Sequence, residues 1–424
     1  MISLLFGIEQ AINLFGMMYV DCYLKLKKAF EQGELKTEID DMEIHEFDFY
    51  SEAHNILPGK QNYQCSIHEL EFKDHISFCN EIGTIQDDVH VKDVLVDENR
   101  NFTYHILTPK IKKPVKKVTF VFHGFNEKTW DKYLPWGEAI CERTQSAVVF
   151  FPIAFHMQRA PLYWSQKKAM YELSKRRKTQ FTNVIGSSLS NVAISMRLHS
   201  RPQRFLWSGL QTYYDIIQFI EECKDGKHSL IDKDFSFNIF AYSVGGLLAE
   251  ILKLSNYKNY FSDAKLCLFC SGSVFNRLSP VSKFILDSEA NVALYSYLVE
   301  HLDSFLKKDA LLRHYLGESH FEGKVFQSML EYQKMRDFRE DLLRKAENQI
   351  YAISLKRDNV FPSFEVVNTL KGAFRDINIT VDEFDFNYKY SHENPFPVNS
   401  TESAEIDKSF NIIFDKIGDF FNQQ

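Results

Sequence analysis

The sequence predicts an α/β fold in which a mostly parallel central sheet is covered by helices on both faces. Three observations carry this. Short unbroken apolar runs recur along the chain, as expected of strands buried on both sides. Segments of helical periodicity separate them, the pattern of a sheet whose parallel strands are joined by helices. One strand leads directly into a small-residue turn around Ser243 and then into a helix.

Residues 118–122 form the first run, followed by helical character over 130–141 and a second run over 147–151. The helix at 210–223 places Leu210, Tyr213, Tyr214, Ile217 and Ile220 on one side. Strand 235–241, helix 246–254 and strand 265–270 come next. Strands 349–355 and 377–384 follow much later, and a last helix over 406–421 carries Ile406, Phe410, Ile413, Ile417 and Phe420 at helical spacing. Upstream, residues 61–109 read as short strands, including 89–96 and 102–107. Residues 109–117 form a basic, proline-containing connection.

Two stretches exceed ordinary connections. Residues 156–208 carry Arg197, His199, Arg201 and Arg204, which read as a solvated basic loop; folded over a pocket, an arginine there would bind a substrate carboxylate. Residues 273–347 read as helices, for example 292–305 and 326–346, and insertions of this size usually serve function. The expected organisation is an N-terminal helical and acidic extension (1–60), a core (61–272 with 348–424) and a helical cap insertion (273–347).

Within the extension, Leu5, Ile8, Ile12, Phe15 and Tyr19 recur at helical spacing. No basic residue precedes the apolar run, and Glu9, Gln10 and Asn13 interrupt it, so an amphipathic helix is expected rather than a signal peptide or integral membrane span. Its apolar face offers a homodimer or peripheral contact. Residues 31–52 hold nine acidic side chains against Lys36 and read as a solvated lead into the body.

The chain has 424 residues, 25% charged, with net charge -7, which gives no electrostatic case for nucleic acid. Its seven cysteines are scattered. Cys267 and Cys270 lie in one apolar run, where residues three apart in a strand face opposite sides and share no metal. Buried free thiols in a reducing, cytoplasmic setting are the expectation.

The chemistry is concentrated in four places. In Asn238-Ile-Phe-Ala-Tyr-Ser-Val-Gly-Gly246, Ser243 stands at a turn between strand and helix. Such a turn strains the serine backbone and tolerates only small residues two positions either side, here Ala241 and Gly245. Tyr242 immediately precedes the serine and supports the turn, and the helix behind it favours developing negative charge. In Val121-Phe-His-Gly-Phe-Asn126, Gly124 lets the backbone approach, Phe125 offers an N–H, and His123 props the loop through a side-chain hydrogen bond. With the Val244 N–H, Phe125 would complete an oxyanion hole. Asp358 leaves strand 349–355 in Lys356-Arg-Asp-Asn-Val-Phe-Pro362, with Asp382 and Asp385 as alternative acids. Of fourteen histidines only His392 follows the last strand.

With these elements the chain resembles the α/β-hydrolase superfamily over residues 102–424. It is also similar to a group of uncharacterised bacterial proteins of that fold, through Pro152-Ile-Ala-Phe-His-Met157 and Ser208-Gly-Leu-Gln-Thr-Tyr-Tyr-Asp215. The resemblance implies the α/β-hydrolase fold, with Ser243 as nucleophile, His392 as base and Asp358 as acid, in the chain order of that fold. It implies a serine hydrolase of esters or thioesters acting on a small-molecule or acyl substrate, with peptidase or carbon–carbon hydrolase chemistry, or a non-catalytic binding role, as alternatives. The departures are Ala241 in place of glycine and the long 156–208 connection. Such chemistry calls for no cofactor and no metal.

Overall fold

The computed structural model describes residues 18–31, 36–60, 62–73, 88–110, 114–317 and 319–423. The expected helix around Leu5–Phe15 lies outside the described residues. The chain starts with helix α1 (Tyr19–Phe30), strands β1 (Lys36–Ile39) and β2 (Met42–Tyr50), a hairpin of β3 (Asn62–Cys65) and β4 (Leu70–Lys73), and β5 (Asn101–Pro109). Next come β6 (Val115–Phe122), α2 (Tyr133–Thr144), β7 (Ala147–Phe150), α3 (Lys167–Gln180), α4 (Val192–Ser200), α5 (Arg204–Lys224), β8 (Ile231–Tyr242), α6 (Val244–Ser255) and β9 (Leu266–Phe269). Five helices follow: α7 (Ser288–Tyr295), α8 (Leu302–Lys308), α9 (Ala310–Leu316), α10 (Phe321–Ser328) and α11 (Arg336–Ala346). β10 (Ile350–Leu355), α12 (Ser363–Leu370), β11 (Thr380–Phe384) and α13 (Ser403–Asn422) complete the fold.

Nine strands form one sheet in the order β1-β2-β5-β7-β6-β8-β9-β10-β11. From β7 to β11 every pair is parallel, whereas β5 runs antiparallel to both β2 and β7. The C-terminal halves of β6 and β8, with β7 and β9, are apolar and buried apart from Thr119 and Asn238, because both faces are covered there. In β8, Ile239 and Ala241 enter the core beneath α5 and α6, while Phe240 and Tyr242 enter the core beneath α2 and α13. Period-two alternation thus feeds two cores from one strand. This is the α/β-hydrolase fold.

The sheet extends further upstream than the acidic composition suggested. β1 and β2 lie in the stretch expected to be a solvated lead, and β2 pairs with β5 over nine residues, Met42 with Pro109 through Tyr50 with Asn101. In β2, Met42 and Ile44 enter the core beneath α2 and α13 and Phe49 enters the core on the opposite face, with acidic residues interspersed on both faces, so charge masked the strand pattern. The same edge receives α1, whose Tyr19 ring lies 4.7 Å from Phe410 of α13.

Three local expectations need correction. Residues 89–96 form turns of 3-10 helix rather than a strand. In the second turn the Asp93 carboxylate points inward to Arg197 and to Arg204 (2.9 Å). The helices expected over 292–305 and 326–346 are each broken, the second between α10 and α11, where Met335 takes a left-handed φ of 54°. Cys267 and Cys270 do not face opposite sides. Cys270 has φ 49° just past the end of β9, which breaks the alternation and turns both thiols into the core beneath α2 and α13. Among the described residues, no helix is long and apolar enough to cross a membrane.

Candidate active site

Ser243 sits between the end of β8 and the start of α6 with φ 56° and ψ -131°, a conformation that non-glycine residues adopt only when their surroundings impose it. Those surroundings are visible. The Ser243 carbonyl accepts hydrogen bonds from the Gly246 N–H (2.9 Å) and the Ser271 hydroxyl (2.6 Å). A Cβ at Gly245 would lie 2.6 Å from the His123 carbonyl oxygen and 2.7 Å from that of Phe122. Gly245→Ala is therefore expected to destabilise the protein by about 1–3 kcal/mol. This would be read as a lower midpoint of guanidinium unfolding at constant slope, and an unchanged midpoint would contradict the close approach. Ala241, the departure from glycine, is still inside β8, paired with Phe122 and Leu268, and has no need of a positive φ.

The structure brings Ser243, His392 and Asp358 together. His392 Nε2 lies 2.8 Å from Ser243 Oγ and its Nδ1 lies 2.8 Å from Asp358 Oδ2. All three are at most 4% exposed, so this chain of hydrogen bonds is shielded from competing water. The other carboxylate oxygen of Asp358 accepts the backbone N–H groups of Val360 (2.8 Å) and Phe361 (2.9 Å). That turn fixes the carboxylate and leaves one oxygen for the imidazole. Asp382 and Asp385, the alternative acids, are engaged elsewhere: Asp382 accepts from the Tyr351 hydroxyl (2.7 Å) and Asp385 from the Tyr390 hydroxyl (3.0 Å).

The imidazole of His392 packs against two nearly parallel rings, Tyr242 at 5.3 Å and 15° and Phe361 at 5.5 Å and 16°. The Tyr242 hydroxyl also donates to the His392 carbonyl. Phe361 escaped the sequence reading; its only sign was an aromatic residue three positions after Asp358.

His123 is fully buried, and burial pushes its imidazole down to about 3, so it is neutral near pH 7. Its Nδ1 faces the Gly124 carbonyl at 2.8 Å, and its Nε2 accepts the Ile153 N–H at 2.9 Å. It therefore ties the loop after β6 to the loop after β7. The Gly124 N–H is taken by the Tyr133 hydroxyl at 2.8 Å, which turns that peptide away and leaves Phe125 as the next N–H along the loop. A Cβ on Gly124 would lie 3.2 Å from Ser243 Cβ, so this loop runs directly against the serine turn.

Phe125 and Val244 line one small cavity of about 60 Å³, together with Phe205, Leu210, Leu248 and Phe326. The lining is largely apolar, and Phe326 comes from α10, so the helical stretch 273–347 supplies one wall. His156 and Ser208 also border the cavity. They belong to the two stretches 152–157 and 208–215, which pack on one another through an Ala154 N–H to Thr212 hydroxyl bond (3.0 Å).

Arg197, His199, Arg201 and Arg204 do not border this cavity, and they form no solvated loop: Arg197, His199 and Arg204 are buried and Arg201 is half-buried. Arg197 is 3% and Arg204 5% exposed, and both hold Asp93. The Arg197 guanidinium stacks 4.3 Å from the Trp164 ring. A polar segment with an acidic partner elsewhere in the chain is drawn inward, and composition alone does not show the partner.

Fold and site together define a protein of the α/β-hydrolase class in its architecture. The chain belongs to a family of unknown function (DUF6051), whose model matches residues 17–422. No curated protein matches the chain. Among solved structures it is similar to carboxyl esterase 2 of the mycorrhizal fungus Tuber melanosporum, at 12% identity over 76% of this chain and 82% of that one, with TM-score 0.42. It is also similar to a thermostable esterase from Pseudomonas putida ECU1011, at 10% identity over 96% and 91% with TM-score 0.41. A hyperthermophilic esterase from the archaeon Pyrobaculum calidifontis matches at 11% identity over 75% and 82%, with TM-score 0.37. At these identities and scores the likenesses assign no activity or substrate, and the fold stands on the strand order and register themselves.

Proposed function

We propose that this chain is a serine hydrolase that cleaves an ester or thioester of a small, largely apolar acyl substrate. The observation that carries the reading is the continuous chain Ser243–His392–Asp358, with 2.8 Å at each step, opening beside an apolar cavity. A serine hydroxyl is a weak nucleophile at neutral pH and needs a base within hydrogen-bond reach. His392 takes the proton as Ser243 attacks the carbonyl carbon, and Asp358 holds the imidazole in the required tautomer and stabilises the imidazolium. The Phe125 and Val244 N–H groups stabilise the tetrahedral oxyanion, each donor contributing about 3 kcal/mol. Collapse expels the alcohol or thiol, which receives the proton from His392. Water then enters by the same route in reverse and releases the acid.

The cavity takes the acyl chain, and helices α7–α11 act as a cap that excludes water from it. Binding of such a substrate draws on apolar burial, about 25 cal/mol per Å² removed from water.

A fluorophosphonate probe tests this reading. The folded chain is expected to be labelled covalently at Ser243, and Ser243→Ala is expected to abolish labelling. Folded wild-type protein that resists the probe, or labelling that survives Ser243→Ala, would overturn the assignment. A series of p-nitrophenyl esters of increasing chain length then reports how much acyl chain the cavity accepts.

A further inference from the structure

Four side chains that the hydrolase reading leaves unused converge at one point on the cap. Cys65 ends β3 and His68 lies in the turn to β4, in a Cys-x-x-His spacing. His314 is on α9, and His320 immediately precedes α10. One donor atom from each lies within 4.8 Å of all the others. Cys65 Sγ is 3.5 Å from His68 Nδ1 and 3.4 Å from His320 Nε2, and His320 Nε2 is 3.2 Å from His314 Nε2. From these distances we propose that Cys65, His68, His314 and His320 form a structural zinc site that fastens the β3–β4 hairpin to the cap helices α9 and α10.

Three of the six donor–donor distances match the ion, and the other three lie within 4.8 Å. A tetrahedral zinc with bonds of ~2.3 Å to sulfur and ~2.05 Å to nitrogen has ligand edges of about 3.6 Å between sulfur and nitrogen and about 3.3 Å between nitrogens. The three measured edges fall within 0.2 Å of those values. One thiolate with three imidazoles is a donor set for zinc, whereas calcium and magnesium take oxygen ligands. Four protein ligands fill a tetrahedron and leave no position for substrate, so the site is structural.

The surroundings are arranged for the same purpose. His320 Nδ1 lies 2.9 Å from Glu322 Oε1 and 3.0 Å from the Tyr214 hydroxyl of α5, and Tyr214 in turn donates to Glu322. A carboxylate on Nδ1 fixes the proton there and presents the Nε2 lone pair to the cluster, as in other carboxylate–histidine–zinc arrangements. Without an ion, the Nε2 atoms of His314 and His320 face one another, and the Cys65 thiol faces His320, His68 and the Tyr315 side chain. Cys65 is 1% exposed, His320 3% and His314 6%, while His68 is exposed and closes the site from outside. Binding replaces the thiol proton of Cys65 with the metal and releases that proton to solvent.

The consequence is local to the cap. Hairpin residues 62–73 pair only with each other in their two-stranded sheet, and the metal adds to the anchor that Tyr63 in the core and Phe72 against His314 of α9 already provide. α10 carries Phe326 to the wall of the apolar cavity, so the ion also steadies that wall.

The test uses the full chain expressed in zinc-supplemented medium, with zinc itself as the probe. Elemental analysis is expected to find close to one zinc per chain after dialysis, and cobalt(II) in its place to show the visible absorption of tetrahedral thiolate–imidazole coordination. Removal by a strong chelator is expected to lower Tm by ~5 °C or more, and zinc to restore it. Cys65→Ser and His68→Ala are each expected to weaken zinc binding at least about tenfold. His68→Ala removes only an exposed side chain, so it reports even where Cys65→Ser fails to fold. Folded wild-type chain that stays substoichiometric in excess zinc, or that binds zinc no more tightly than His68→Ala, would overturn the proposal. Ser243→Ala is expected to bind zinc as wild type does, so metal content and fluorophosphonate labelling fail or succeed independently.

Discussion

Replacing His392 with alanine is expected to lower kcat on an activated ester about 10⁶-fold, and Asp358→Asn to lower it about 10⁴-fold. The difference follows from the geometry. His392 contacts the Ser243 hydroxyl itself, so without it no base stands within 2.8 Å of the proton that must leave. Asp358 acts one step away, on Nδ1, and an asparagine there still fills the turn while favouring the wrong imidazole tautomer. Asp358→Asn should disturb the fold little, because the Asn Oδ1 can still accept the Val360 and Phe361 N–H groups, whereas His392→Ala removes a buried ring packed against Tyr242 and Phe361 and is expected to cost some stability. The two variants in steady-state assays, with circular dichroism to show folding, give the ratio directly. A folded His392→Ala protein that keeps more than a tenth of wild-type kcat would remove the triad from the mechanism.

Asp287→Ala is expected to destabilise the chain by about 3–5 kcal/mol, because it leaves a buried guanidinium unpaired. Arg177 on α3 reaches Asp287 through Nε (2.5 Å) and Nη2 (2.8 Å), and both side chains are fully buried. Asp287 also caps α7 by accepting the Ala290 N–H (3.0 Å), and its own N–H donates to Ser195 of α4 (3.1 Å). One residue therefore joins α3, α4 and α7, holding the 156–208 connection against the helical stretch that follows β9. Asp287→Asn keeps the cap and removes the charge, and should fall between wild type and alanine, since the cap alone contributes about 1 kcal/mol. Guanidinium unfolding of the three proteins measures the series. A loss under about 1 kcal/mol for alanine would show that water reaches Arg177 and that the pair does not brace the segment.

The sheet was legible where burial on both faces left a local mark. β9 is a continuous apolar run and β6, β8 and β10 contain apolar runs with few polar breaks, and their parallel order follows from the helices between them. β1 and β2 were hidden because acidic residues are interspersed with the apolar ones on both faces of β2, so composition masked the alternation. The broken helices of the 273–347 stretch were hidden too: helical periodicity continues across 329–335, and only tertiary contacts decide that Arg339 bonds the Ser328 and Tyr332 carbonyls there instead of letting one helix run through.

The sequence by itself determined the strand-turn-helix around Ser243 and the chain order of Ser243, Asp358 and His392, because turn chemistry and periodicity act over a few residues. Tertiary structure alone decided which distant side chains meet. Phe361 against His392, Asp93 beneath Arg197 and Arg204, and above all Cys65 beside His320, 255 positions along the chain, are set by how layers pack. A Cys-x-x-His pair in a turn carries half of a metal site at most. The other half comes from a helix pair that no local rule connects to it, since sequence separation leaves no imprint on residue type until the chain has closed the distance.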